Sequence, residues 1–423
     1  MIELSVGPIL LSRNTEVALY QPNSGLTGTS YAGVQIAEYL REKMEDDNVS
    51  FVSVGGKLGG EEHKRNASIS SLEEFHATSE IVIAPTETLG ELRNSQLTGS
   101  KVIAICQHPR DAELRKVRKN LKPWLEVHVS RYSFWQNFTF TRTACFVPNP
   151  LWLGGTIRDS SFSSGPPLIG FVGSLVPEKG FLHLAKQWGE IRRQIPGAHL
   201  EVMGGASLYG EEEAHHLFPT SVDYGNKLLL AFGSDDLEAL GVKFLGRVDE
   251  GKQKIARRWD LAICNPTGWT ESFCYSVRES MGAGIPTFFG AHEGLSDIAS
   301  KFPELGVKKP SDLPGKISAF WASPDLQEKI RVRMAAAADS DLAELHVRLE
   351  ALIRMVRTVH DGRRWQLRVR AFASWPRLSS AGTLELANQW LTDQRVRLKL
   401  FSDVAYRYFK NDPHLPSSAS SGK

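Results

Sequence analysis

From Thr270 to Pro286 the chain reads Thr-Glu-Ser-Phe-Cys-Tyr-Ser-Val-Arg-Glu-Ser-Met-Gly-Ala-Gly-Ile-Pro. Two carboxylates, Glu271 and Glu279, stand in it with seven residues between them. The stretch follows an apolar run (Leu261 to Asn265) and a short loop (Pro266 to Trp269). It then takes on helical composition, so the expected passage is strand, loop, helix. The carboxyl edge of a parallel sheet is where α/β proteins bind ligands. With the helix starting near Cys274, the backbone N–H groups of Phe273, Cys274 and Tyr275 point outward without partners. Such a helix end holds an anion, a diphosphate for example. Glu279, one turn inside, lies where it can accept hydrogen bonds from a ribose diol.

The elements that must carry this stretch can be read on either side of it. Strands are expected at Val17 to Tyr20, Val49 to Val54, Glu80 to Ala84, Val102 to Cys106, Leu125 to Ser130 and Ala144 to Val147. A Gly-rich turn with Gly28 and Thr29 leads into a helix over Tyr31 to Lys43. After a Ser/Gly/Pro-rich break the alternation restarts, with strands at Leu168 to Gly173, His199 to Met203, Val242 to Leu245, Asp260 to Asn265 and Ile285 to Phe289. Helices are expected over Phe181 to Ile195, Lys252 to Trp259 and Tyr275 to Ala283. Two βα series imply two mainly parallel sheets, each covered on both faces. The remainder reads as helical, with an apolar stripe at Leu342, Leu345, Leu349, Leu352 and Val356 and a last helix over Leu384 to Phe409. Asp339-Ser340-Asp341 matches an Asp-x-Asp metal motif. It follows four alanines, and Asp341 with Glu344 reads instead as a capping box opening a new helix.

On these residues the chain resembles glycosyltransferase family 4 and its GT-B relatives. The carriers are the two spaced glutamates, the small-residue helix end and Gly284-Ile285-Pro286. Phe171-Val172-Gly173-Ser174-Leu175-Val176-Pro177-Glu178-Lys179-Gly180 is similar to the family's first turn in its second domain, and Val242 to Gly246 to the strand before the nucleobase pocket. Weaker likenesses are the Gly28 turn, Pro148-Asn149 and Gly294 to Ile298. The resemblance implies an α/β fold of GT-B architecture, two Rossmann-like domains facing a central cleft with a helical C-terminal extension. The expected division is 1–150 for the acceptor-side domain, 151–167 for a linker and 168–325 for the nucleotide-sugar domain. A helical extension over 326–412 and a disordered tail over 413–423 follow.

The resemblance also implies roles. Lys179 neutralises the donor diphosphate and Glu279 holds the ribose. Glu271 lies by the transferred sugar, and Gly28 and Thr29 approach the phosphates from the other domain. His108 sits near the sugar, and Gly173, Ser174, Phe273, Cys274 and Tyr275 line the donor. The reaction implied is retaining transfer of a sugar from a nucleotide diphosphate to a hydroxyl of a glycan, lipid-linked or small-molecule acceptor. No metal or other cofactor is expected. Two departures stand out: Ser174 replaces the family's usual arginine, with Arg247 and Arg278 as cations able to compensate, and Ser272 and Cys274 replace frequent glycines. A nucleotide-sugar epimerase of the same fold and a catalytically silent sugar-nucleotide binder are the alternatives.

Composition limits the other classes. The 423 residues exceed one ordinary core. Fifty basic residues against 48 acidic leave a formal charge of +2, which argues against a nucleic-acid binder. The four cysteines form no Cys-x-x-Cys pair, which fits a reducing cytoplasm. The N-terminus has an early acid and no basic region, so a signal peptide is not expected. The basic-aromatic run Arg395 to Lys410 is the feature able to touch a membrane surface.

Overall fold

A computed structural model describes residues 101–107, 112–137, 143–149, 165–205, 215–246 and 258–360. It also describes the short stretches 9–12, 17–19, 52–53, 67–68 and 79–86, and a few single positions. By compactness the chain divides into Met1–Pro376 and Arg377–Lys423, and every described residue belongs to the first unit.

The described strands of the N-terminal part are β1 (Ile9–Ser12), β2 (Val17–Leu19), β3 (Val52–Ser53), β4 (Ala67–Ser68), β5 (Ser79–Pro85), β6 (Lys101–Cys106), β7 (Leu125–His128) and β8 (Ala144–Phe146). Helices α1 (Ala112–Asn120) and α2 (Arg131–Asn137) fall between the later ones. Six strands form one sheet in the order β2-β1-β5-β6-β7-β8, while β3 and β4 pair separately. From β5 onward neighbours are parallel. β1 runs antiparallel to both β2 and β5 and was not foreseen from the sequence.

The second series holds β9 (Leu168–Val172), β10 (His199–Met203), β11 (Val242–Gly246), β12 (Leu261–Ile263), β13 (Thr287–Gly290) and β14 (Gly306–Val307). Its helices are α3 (Phe181–Gln194), α4 (Val222–Phe232), α5 (Tyr275–Gly282), α6 (Ser296–Lys301), α7 (Leu313–Trp321) and α8 (Pro324–His360). All six strands are parallel, in the order β11-β10-β9-β12-β13-β14. In chain order that is 3-2-1-4-5-6, the doubly wound arrangement whose direction of growth reverses between its first and fourth strands. β9 is nearly all apolar because it lies between two neighbours with both faces covered. On α3 the buried Phe181, Leu184, Ala185, Trp188 and Ile191 recur at helical spacing. The Trp188 indole N–H donates to the Leu240 carbonyl at 2.8 Å.

Helix α8 departs most from expectation. Asp339, Ser340 and Asp341 lie inside its 37 residues, so no capping box opens a new helix at Asp341. A helix already running offers a mid-helix Asp no free N–H of its own to cap. Asp341 instead meets Lys301 of α6 and Arg278 of α5. The start of α8 packs with the second sheet through Ile330 and Met334. Its later turns bury Leu345, Leu349, Leu352, Ile353, Val356 and Val359 against Ile103, Ile105, Leu125, Val127 and Cys145 of the first. Polar contacts join there too: Arg131 donates to Glu344 at 2.9 Å, and Arg348 to the Phe146 carbonyl at 3.2 Å.

Strand and helix limits otherwise differ from expectation by a few residues. Helix α4 is not among the elements expected from the sequence. The helix expected over 252–259 lies mostly outside the described residues, as do the linker up to residue 164, the helix over 384–409 and the tail.

Candidate functional site

The reversal in the second sheet lies between β9 and β12, which are hydrogen-bonded neighbours. A ligand crevice is expected outside their carboxyl ends, because the connections from the two strands diverge there to opposite faces. The turn after β9 carries Gly173, Ser174 and Lys179, and the loop after β12 carries Asn265 to Cys274. The two segments meet: the Lys179 ammonium donates to Glu271 Oε1 at 2.7 Å. Residues 92 positions apart thus form one ion pair. Glu271 is only 7% exposed, whereas the lysine side chain keeps about a third of its surface.

Asn265 organises the loop and was not singled out from the sequence. Its Nδ2 donates to Glu271 Oε1 at 3.2 Å and to the Trp269 carbonyl at 3.2 Å. Its Oδ1 accepts from the Thr267 hydroxyl at 2.7 Å and the Gly268 N–H at 3.0 Å. The loop is also fastened from outside. The Gly294 N–H donates to the Glu271 carbonyl at 2.9 Å, and that of Gly290 to the Asn265 carbonyl at 3.0 Å. A Cβ on Gly294 would sit 1.9 Å from the Ser272 carbonyl oxygen, so only glycine permits this approach.

Backbone strain collects in the same place. Five described non-glycine residues have positive φ, and four of them are Asn265 (36°), Thr270 (65°), Cys274 (51°) and Glu293 (49°). Left-handed backbone costs a side-chain-bearing residue about 1–2 kcal/mol, so the surrounding contacts must enforce it. At Cys274 the conformation suits the glycine that the family resemblance led us to expect. The thiol is buried there, and burial, followed by the nearby Glu271 carboxylate, holds its pKa well above the usual range against the opposing pull of Lys179.

Cys274 caps α5, so Tyr275 is its first residue and Glu279 lies one turn in, partly exposed. The Phe273 and Tyr275 rings meet edge to face at 5.0 Å. Ser174 brings no charge to the turn after β9. Arg278 is engaged elsewhere: its guanidinium stacks over Phe273 at 4.2 Å, its Nε donates to the Phe273 carbonyl at 3.3 Å, and it lies 3.7 Å from Asp341. Gly28, Thr29, His108 and Arg247 lie outside the described residues. The structure therefore unites Lys179 and Glu271 and sets Phe273, Cys274, Tyr275 and Glu279 on the adjoining helix start.

A part-buried lysine–carboxylate pair at the switch point, beside a helix N-terminus, suits a phosphorylated ligand. Residues 156–334 match the family described as Glycosyl transferases group 1. The matched segment includes both Lys179 and Glu271. No curated protein sequence matches the chain. Among solved structures, the Anabaena protein Alr3699/HepE in complex with UDP-glucose is 14% identical with a TM-score of 0.57. The match covers 81% of this chain and 99% of that one. The E. coli trehalose-6-phosphate protein bound with UDP-2-fluoro glucose is 10% identical, at 80% and 98% coverage and a TM-score of 0.56. A glycosyltransferase from Rickettsia africae is 10% identical, at 76% and 92% coverage and a TM-score of 0.50. At these identities the likeness is one of fold, and the fold is GT-B.

Proposed function

We propose that the chain is a retaining, metal-independent glycosyltransferase that moves a sugar from a nucleoside diphosphate to a hydroxyl acceptor in glycan or glycoconjugate assembly. The observation that carries this reading is the 2.7 Å pair of Lys179 and Glu271 at the reversal of the second sheet. The UDP-glucose held by the Anabaena protein of like fold supports a nucleotide-sugar donor.

The residues divide the work by charge. As the bond to the anomeric carbon breaks, negative charge grows on the diphosphate and positive charge on the sugar ring. Lys179 and the N–H groups at the start of α5 face the first, and a fixed cation there lowers the barrier. The Glu271 carboxylate faces the second. In the structure these two groups neutralise one another. A bound donor places its diphosphate against Lys179 and its sugar against Glu271, inserting opposite charges where the pair now stands. Glu279 accepts from the ribose.

Ser174 favours a second reading, a sugar-nucleotide binder without turnover, because a neutral group stands where a second cation would assist departure. A thermal-shift screen of UDP, GDP, ADP and dTDP and their sugars, each with and without EDTA, tests both. One base is expected to raise the melting temperature. Its sugar conjugate should then be consumed in the presence of chelator. Binding without consumption selects the second reading, consumption only with added magnesium or manganese removes metal independence, and no shift with any nucleotide overturns both.

A further inference from the structure

The loop that carries Glu271 also carries a large side chain turned outward. Among the described residues the exposed large apolar side chains are Val222, Leu230, Trp269, Val332 and Val347. Four of these sit on the outer faces of α4 and α8, where single exposed aliphatics are ordinary. Trp269 is the aromatic one and lies on the loop between β12 and α5, half exposed at 50% and two residues from Glu271. Two residues span at most about 7 Å of backbone, so the indole stands beside the reacting centre.

This tryptophan is held in place. Its carbonyl accepts from Asn265 Nδ2, the group that also holds Glu271. Gly268 before it and Thr270 after it both have positive φ, which fixes the bend on either side. Its ring lies flat on His292, with centroids 4.8 Å apart and planes 6° apart. His292 is anchored in turn by Nε2 against the Lys308 carbonyl at 2.8 Å. A carbonyl only accepts, so Nε2 carries a proton. His292 covers one face of the indole, leaving the exposed area to the other face and the rim.

Resting on the donor chemistry proposed above, we propose that Trp269, backed by His292, is a stacking platform for a sugar ring of the acceptor. The negative face of an indole attracts the weakly positive C–H groups that line one side of a pyranose. The platform lies two residues from Glu271 and is tied to it through Asn265, beside the end of the site that the proposed reading gives to the transferred sugar. An aliphatic or peptide acceptor has no need of a flat aromatic surface there, so the proposal commits to a carbohydrate.

The test titrates the full chain by NMR with cellobiose, maltose and chitobiose as probe sugars, in wild type, Trp269→Ala and Trp269→Phe. In parallel each protein is titrated by calorimetry with UDP, GDP, ADP and dTDP. At least one disaccharide is expected to bind wild type. Trp269→Ala should weaken it about tenfold, which corresponds to about 1.4 kcal/mol. Trp269→Phe should keep most of the affinity, and nucleotide binding should be the same in all three, which also shows the variants folded. Sugar binding untouched in Trp269→Ala, or none of the probes bound by wild type, overturns the platform. A loss of nucleotide affinity in Trp269→Ala with sugar affinity unchanged also overturns it, assigning the indole to the donor. Sugar binding lost in Trp269→Ala while wild type binds no nucleotide leaves the platform standing and sinks the donor reading instead.

Discussion

On the proposed reading Lys179, which pairs with Glu271 in the structure, faces the donor diphosphate, so its removal has a particular signature. In Lys179→Ala the growing charge on the leaving group loses its fixed cation. One preorganised group of this kind contributes roughly 100- to 1000-fold to kcat. Steady-state kinetics should show kcat falling by that order and KM rising much less. A rise in KM alone would make Lys179 a ground-state binder. The sequence could pair these two residues only through their motifs, since 92 positions separate them. It could not expose the part played by Asn265. That residue ends an apolar run and precedes Pro266, which reads as a plain turn signal, and its four side-chain hydrogen bonds depend on a left-handed backbone that no spacing reveals. Arg278 shows the converse: adjacency to Glu279 suggested a phosphate cation, but its place on the turn of α5 aims it at Phe273 and Asp341.

Between elements, a two-pronged polar tie joins α1 to β7. Arg118 donates to both oxygens of Glu126, at 2.8 and 2.6 Å, and to the Asn137 carbonyl at 2.6 Å. Burial of Glu126 would raise its pKa, yet the hydrogen bonds and charge of Arg118, with His128 3.9 Å away, outweigh burial and hold it below the ordinary carboxyl value. A folded pKa below the unfolded one contributes stability that is present above the unfolded value near 4.5 and is lost as pH falls through the folded value. Arg118→Ala would strand a buried carboxylate, at a cost of about 3–5 kcal/mol. Chemical denaturation at neutral pH should show that loss, and the difference from wild type should shrink in acid. A constant difference down to the wild-type acid transition would rule out this electrostatic account. Elements were legible where their pattern was undiluted. β9 emerges because a buried parallel strand is a nearly continuous apolar run. Helix α4 was missed because Tyr-Gly-Asn in its middle has the composition of a turn. The supposed start at Asp341 misled because Asp and Ser signal caps locally, while the helix continues through contacts to Lys301 and Arg278 that are remote in sequence.

At the scale of the molecule, α8 is the member that both sheets use. Ile330 and Met334 belong to the core of the second sheet, and Leu345 to Val359 to that of the first. Leu349→Ala, at 2% exposure, should cost about 2–5 kcal/mol. Because one helix completes both cores, calorimetry should show a single transition moved to lower temperature. Two separated transitions, with only one displaced, would show that the sheets melt independently. The same helix sets a schedule for synthesis. Strands β6, β7 and β8 leave the ribosome early, but the helix that covers Ile103, Val127 and Cys145 comes roughly two hundred residues later. At ordinary elongation rates that interval is about 10–40 s. Throughout it the nascent first sheet carries a bare apolar face next to unfinished chain, while the second sheet is still being made. Such a chain leans on a holding chaperone during translation, and its yield should suffer more from chaperone depletion than that of a protein whose first domain closes on itself.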